Sequence, residues 1–153
     1  MKWKHPPIIK IYEALGAVAD GRVEVSGNTA KVYSSTRNKY YDVTYDPDQR
    51  LIMSNDNASY WKGDLGYPAI AFLMITQVLS YDEHIGNLLK GLAWKDINQK
   101  FKNDFDKTLE FILSSKSKEE ISQLKMFVET VDAEIRHLEL GLLGKKVMPP
   151  AGY

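Results

Sequence analysis

The sequence contains no cysteine, which excludes disulfide bonds, thiolate metal ligands and a cysteine nucleophile. It also lacks an excess of either charge, because 20 lysine and arginine residues balance 20 aspartate and glutamate residues. Proteins that bind nucleic acid through its phosphates usually carry a basic excess, so this balance favours a protein partner. The longest apolar run, residues 68–75, is too short to span a bilayer, and the charged start is not followed by an apolar run as in a signal peptide. We therefore expect a cytoplasmic protein with no membrane partner.

The first half of the sequence carries both helix and strand patterns. Two prolines precede a segment whose apolar residues recur every three or four positions, which predicts a helix over 7–19. Alternating segments joined by short polar turns follow, and they predict three or four antiparallel strands between residues 22 and 54. The next helix, within 69–80, is apolar almost all round, which is typical of the centre of a core.

The second half reads as helical throughout. Helical patterns cover 81–94 and 105–113, and the density of apolar residues drops near 95–103. Ser117 and Glu120 have the spacing of a capping box at the start of a last, long helix.

These patterns predict an α+β fold with an N-terminal helix, a three- to four-stranded antiparallel sheet and a C-terminal helical half. The expected domains are an α+β domain over 1–95 and a helical subdomain over 96–153, which ends in a flexible tail.

The last long helix carries an apolar stripe with alternating spacings of three and four residues. Its central members are Leu124, Val128, Val131, Ile135 and Leu138. The stripe is wide, which favours burial inside a helical subdomain. A homodimer contact through the stripe is the second interpretation.

No catalytic constellation is visible in the sequence. The three histidines, His5, His84 and His137, fall in three separate segments. No serine lies in the G-x-S-x-G turn of a nucleophile elbow, and neither common phosphate-binding glycine pattern occurs. We therefore expect a protein that is not an enzyme and has no cofactor and no bound metal.

The strand motif YYDVTY is followed by a turn, a short strand, a spacer and the apolar helix. In this order and spacing, about residues 7–78 resemble the SWIM domain, a small zinc module. The C-x-C and C-x-H ligand pairs of that family fall here on Met53, Asn55, Gly66 and Pro68, none of which binds zinc as a thiolate or an imidazole does. The resemblance implies a metal-free derivative with protein or nucleic-acid partners.

The loop between these positions has two interpretations. In the favoured one the rings of Tyr60, Trp61 and Tyr67 form a packed plug that replaces the metal. In the other the loop is an exposed recognition surface, since loops on rigid scaffolds often carry binding residues. The candidate residues of such a surface are Asn55, Asp56, Asn57, Tyr60, Trp61, Lys62 and Tyr67.

A second candidate surface lies at the end of the predicted hairpin. It consists of basic and aromatic side chains, namely Lys31, Arg37, Lys39 and Tyr40. This is a minimal nucleic-acid footprint, and a solvated turn is the favoured interpretation.

The sequence as a whole favours a non-catalytic binding or adaptor protein that contacts another protein, with an accessory role in DNA metabolism if the resemblance holds. One alternative is a structural or oligomerisation module that acts through the stripe within 121–142. Another is a small-ligand binder or enzyme that uses the cleft between the sheet and helix 69–79.

Overall fold

The protein has an α+β fold in the computed structural model, which describes residues 1–151. The helices are α1 (Ile9–Ala19), α2 (Tyr67–Ile75), α3 (Glu83–Asn87), α4 (Trp94–Lys100), α5 (Phe105–Leu113) and α6 (Lys118–Leu138), with a π-helical turn at Ala58–Lys62. The strands are β1 (Val23–Ser26), β2 (Thr29–Tyr33), β3 (Tyr40–Asp46), β4 (Leu51–Ser54) and β5 (Gly141–Leu142). The predicted N-terminal helix and helical C-terminal half are confirmed.

The sheet has the order β1-β2-β3-β4-β5. The first four strands form the predicted antiparallel meander. The fifth strand was not predicted, and it makes the sheet mixed because Gly141 and Leu142 pair with β4 in parallel. Two residues are too few to show an alternating pattern, so the sequence gives no signal for this strand.

One face of the sheet packs against α2. Tyr41, Val43 and Tyr45 alternate along β3 and are all buried, as their spacing predicted. The Tyr45 ring meets the Phe72 ring of α2 edge-on, with the ring centres 6.0 Å apart. Side chains of the core therefore occupy the space between the sheet and α2, where a ligand cleft was considered.

The prediction of continuous helix over 81–94 is wrong. Asp82 caps α3 by accepting a hydrogen bond from the Ile85 amide, but α3 ends at Asn87. Gly91 then adopts a left-handed conformation (φ 79°), which breaks the helix before α4 begins. Among residues 1–151, no helix combines the length and apolar character that a membrane crossing requires.

The long helix α6 begins with the predicted capping box between Ser117 and Glu120. Its apolar stripe packs into the core of the same chain: the first four members, Leu124, Val128, Val131 and Ile135, are buried, and Leu138 is partly exposed. The same hydrophobic core includes residues from both 1–95 and 96–153. The two predicted domains therefore share one core.

The N-terminal residues form a strap across the open edge of the sheet. The Trp3 amide donates to the Leu140 carbonyl at 3.0 Å, and its indole Nε1 donates to the Ile52 carbonyl at 2.8 Å. His5 Nε2 lies 2.6 Å from Asp132 Oδ1 on α6. The strap therefore joins β4, β5 and α6.

Replacement of Trp3 by alanine tests the strap. It removes a packed indole and the hydrogen bond to Ile52, so we expect a loss of about 2–4 kcal/mol in the free energy of unfolding, measured by urea denaturation. The matched control is Lys2→Ala, which removes only an exposed ion pair with Glu139 and should change stability by less than about 1 kcal/mol. Equal effects of the two substitutions would contradict the strap.

Candidate ligand cavity

A cavity of about 520 Å³ lies beside α1, outside the packed sheet–α2 interface. Its walls come from α1, the segment between β2 and β3, the loop before α2, and α4. The charged and polar residues that line it include Lys10, Glu13, Arg22, Ser34, Lys39, Asp56, Lys62, Asp64, Lys95 and Asn98, and the aromatic ones are Tyr41, Trp61, Tyr67, Trp94 and Phe105. This volume lies within the range of small-molecule sites, roughly 300–1,000 Å³.

Arg22 is a buried cation in the cavity wall, only 2% exposed. Its Nη1 donates to the Tyr33 carbonyl at 2.8 Å, and its Nε lies 3.3 Å from Asp20 Oδ2. Asp20 is held in turn by the Gly91 amide, which donates to its Oδ1 at 2.7 Å. The end of α1 thus fixes the guanidinium in place.

Glu13 is the buried acid of the same wall, 3% exposed. Its Oε1 lies 3.6 Å from Lys10 Nζ and accepts a hydrogen bond from Asn98 Nδ2 at 3.2 Å. These contacts join α1 to α4 across the cavity.

The carboxylate of Asp56 holds the loop before α2 through hydrogen bonds. Its Oδ1 accepts hydrogen bonds from the hydroxyls of Ser54 (2.7 Å) and Ser59 (2.6 Å), and its Oδ2 accepts one from the Ser59 amide at 3.3 Å. The carboxylate packs so closely on Gly66 that a Cβ at that position would overlap with it. This buried network therefore ties the loop together, and only glycine fits at residue 66.

The aromatic plug predicted for this loop is wrong for Trp61, which is 68% exposed. Its ring meets Tyr60 edge-on, with the ring centres 4.7 Å apart, at the rim of the cavity. Buried serine hydroxyls and the Asp56 carboxylate satisfy one another at the centre of the loop, so the large ring is left outside.

The residues of the predicted recognition loop differ in exposure. Asn55 and Asp56 are buried, and Asn55 Oδ1 accepts a hydrogen bond from the Asp42 amide at 2.8 Å, which extends the β3–β4 pairing. Asn57 and Lys62 are exposed, as Trp61 is, and all three border the cavity. Met53 is partly buried in β4, and Pro68 lies in the first turn of α2.

Tyr67 begins α2 and presents part of its side chain to the cavity. Burial raises the pKa of its phenol strongly; Arg22 opposes the shift, whereas Tyr41, Glu13 and Asp56 add to it. The phenol therefore stays protonated at neutral pH and can serve as a hydrogen-bond donor.

The predicted basic patch is divided between two surfaces. Lys31 lies over the ring of Tyr40 on the exposed face of the sheet, 4.8 Å from the ring centre. Arg37 instead donates to the Asp20 carbonyl at the end of α1, at 2.7 Å. Lys39 lines the cavity. These four residues therefore do not form one continuous surface.

Lys39 and Lys95 bring two positive charges to the cavity. Burial lowers the pKa of Lys39, and the like charge of Lys95 lowers it further. The Lys95 amide donates to Ser35 Oγ at 3.1 Å, which ties the start of α4 to the segment between β2 and β3. A bound anion would relieve the repulsion between the two ammonium groups.

Sequence reasoning missed Glu13, Arg22, Lys95 and Asn98. The sequence carried a weak signal for Glu13, because almost every other residue of α1 between Ile9 and Ala17 is apolar or small. In the structure this whole segment except Lys10 is buried. A charge in such a helix indicates a paired or functional group. Lys95 and Asn98 lie in the segment that was predicted to be a junction.

The C-terminal tail borders the same cavity. Lys146 Nζ donates to the Tyr60 carbonyl at 3.3 Å, and Pro150 is part of the cavity lining. The predicted flexible tail is therefore in contact with the fold as far as Pro150, and its last two residues, Gly152 and Tyr153, lie outside the described residues.

A second cavity, of about 530 Å³, lies at the C-terminal end of α2. Its lining mixes apolar residues (Val18, Met74, Ile75, Val78 and Leu79) with polar ones, and Glu134 closes one side by accepting hydrogen bonds from the amide and the hydroxyl of Ser80. Within residues 1–151, no three acidic or histidine side chains are grouped so that they could hold a metal ion.

Fold and cavity together define an α+β protein with a polar, partly buried cavity. Residues 3–141 match the model of a family described as "Uncharacterised conserved protein UCP014422", and the chain belongs to this family. Comparisons with curated proteins and with solved structures found no match.

Substitutions at Asp56 and Gly66 test the loop network. Asp56→Ala leaves two buried hydroxyls without their acceptor and should cost about 2–4 kcal/mol of unfolding free energy. Gly66→Ala should also destabilise the protein, because its methyl group overlaps with the carboxylate. In the double variant that overlap is gone, so the combined cost should be smaller than the sum of the two single costs. Additive costs would contradict the close contact between the Asp56 carboxylate and Gly66. The matched control is Asn57→Ala, in the same loop but exposed, which should leave the free energy of unfolding nearly unchanged.

Because the phenol of Tyr67 is buried, we expect the protein to lose stability at alkaline pH. Its raised pKa means that the unfolded chain releases the phenol proton near pH 10 while the folded protein retains it. Stability is thus unaffected below about pH 10 and falls above it, by up to about 1.4 kcal/mol per pH unit for this group. Tyr67→Phe should reduce that slope in urea denaturation between pH 8 and 11, whereas Tyr40→Phe, on the exposed face, should not. An unchanged slope in Tyr67→Phe would refute the burial of the phenol.

Proposed function

We propose that the protein binds a small anionic ligand in the cavity beside α1. The observation that carries the proposal is a cavity wall that contains four buried polar or charged side chains, Glu13, Arg22, Ser34 and Asp56, each at most 6% exposed. Burying charged groups is costly and contributes little net stability, so their collection around an open space is typical of a ligand site.

The charges of the wall support an anion. Five cationic and three acidic side chains line the cavity. Asp56 is already saturated by hydrogen bonds from the serines, and Glu13 is paired with Lys10. Lys39 and Lys95 add two positive charges to one side of the cavity, where burial and the charge of Lys95 lower the pKa of Lys39.

The proposed function is binding without catalysis. The proposed location is the cytoplasm, as expected from the sequence. The proposed function differs from the leading sequence-based hypothesis of an adaptor protein, because a concave, partly buried cavity suits a small molecule better than a protein surface.

A protein partner is the second candidate function, and the specific observation that favours it is Trp61. A tryptophan that is 68% exposed beside Lys62 is typical of an interface residue. The SWIM resemblance, with its protein or nucleic-acid partners, and a homodimer belong to this second candidate as predictions.

Ligand binding is tested by thermal shift of the full chain against a panel of anions: inorganic phosphate, mono- and dicarboxylates and phosphorylated metabolites. The best compound is then titrated by calorimetry. We expect Lys39→Ala/Lys95→Ala to weaken its binding about tenfold or more, because each lost charge-assisted hydrogen bond is worth about 1.5–3 kcal/mol.

The matched control is Lys90→Ala, an exposed lysine that does not line the cavity and carries the same charge. It should bind like the wild type. The proposal fails if no anion shifts the melting temperature, or if the double lysine variant binds its ligand as well as the control does.

A further inference from the structure

We infer, on the basis of the ligand site proposed above, that residues 144–151 form a lid that closes over the cavity and slows the release of its anion. These residues, the C-terminal tail, follow the last strand of the sheet. One contact holds the middle of the tail to the cavity wall, and a second brings its end to the cavity itself.

The first contact comes from Lys146. Its ammonium group donates a hydrogen bond to the Tyr60 carbonyl at 3.3 Å. Tyr60 belongs to the π-helical turn Ala58–Lys62, which also carries Trp61 and Lys62 of the cavity lining. Carbonyl groups near the end of a helical turn attract cationic side chains. Lys146 is therefore a latch between the tail and the cavity wall.

The second contact places the end of the tail in the cavity lining. Pro150 is one of the lining residues, and both Pro149 and Pro150 are partly buried. Two successive prolines restrict the backbone, so little conformational freedom is lost when this end is held against the cavity. Because proline has no N–H group, Pro150 offers an apolar ring that excludes water instead of a donor that binds the anion.

The tail is joined to the sheet by a flexible residue. β5 ends at Leu142, and the Leu143 amide still donates to the Ile52 carbonyl at 3.1 Å. Gly144 then adopts a left-handed conformation (φ 72°), and a Cβ at this position would meet open space. Residues 144–151 form neither helix nor strand. The tail can therefore change position at small cost while the chain up to Leu143 stays fixed to the sheet.

The open volume of the cavity distinguishes a lid from a plug. With the tail in place the cavity still measures about 520 Å³, so Pro150 adds to the wall and leaves room for a ligand. Val147 and Met148 of the tail are exposed, as is Trp61 at the rim of the cavity. Burial of these apolar side chains over a bound anion would favour closure and shield the anion from water.

NMR relaxation of the full chain tests whether the tail responds to an anion. Backbone order parameters of the amides of residues 145–148 and 151 are measured without ligand, with saturating inorganic phosphate, and with any other anion of the panel that shifts the melting temperature. We expect the order parameters to rise when an anion binds, because a ligand enclosed by the lid favours the closed tail. Unchanged or lower values at saturation would overturn the lid.

Calorimetry and stopped-flow kinetics test the latch with the same anions. Lys146→Ala should weaken their binding about fivefold, an effect within the range of a single hydrogen bond, and the loss should come from faster dissociation. The matched control is Lys145→Ala, an exposed neighbour of the same charge, which should bind like the wild type.

Gly144→Ala tests the lid through the backbone. The added methyl group meets open space, so the substitution acts only by disfavouring the left-handed conformation that directs the tail to the cavity. It should weaken binding in the same direction as Lys146→Ala.

The outcomes separate the lid from the proposed function. Tighter binding by Lys146→Ala would show that the tail is a plug, and binding equal to that of Lys145→Ala would show that it plays no part. Either result overturns the lid, and the anion site stands because the wild type still binds. If no anion of the panel binds the wild type, the proposed function fails, and the lid fails with it.

Discussion

The loop before α2, which forms one wall of the cavity, depends on the buried carboxylate of Asp56. This carboxylate is buried between the end of β4 and the start of α2, and it accepts hydrogen bonds from Ser54 and Ser59 on either side of it in the chain. The network shapes a loop that connects the sheet to its central helix and forms one wall of the cavity. Its geometry also dictates the absence of a side chain at Gly66.

The polar residues of the remaining cavity wall form two groups that differ in charge. One part is formed by Glu13 and Asn98, whose hydrogen bond joins α1 to α4. The other is formed by Lys39 and Lys95, where burial and the like charge of Lys95 lower the pKa of Lys39. The anion that we propose for the lysine side would stabilise the folded state in proportion to its occupancy.

The elements with strong periodicity were predictable from the sequence, and the site was not. The alternation of Tyr41, Val43 and Tyr45 and the capping box at Ser117 are local signals, and both are confirmed. The cavity depends on contacts between residues far apart in sequence, such as Glu13 with Asn98, which no local pattern encodes. The size of Trp61 predicted burial, but the ring is exposed and the small polar groups of Ser54 and Ser59 occupy the interior of the loop. Of the predicted site residues, Asp56, Asn57, Trp61, Lys62, Tyr67 and Lys39 line the cavity.

The pairing of the first residues with residues near 140 has a consequence for synthesis on the ribosome. The hydrogen bond from Trp3 to Leu140 joins positions separated by almost the whole described chain, and β5 completes the sheet only at Gly141 and Leu142. During translation, the β4 edge and the strap must therefore stay unpaired until this late segment has left the exit tunnel. An unpaired edge strand is a template for association with other chains. In this protein that edge stays open to such association until β5 pairs with it.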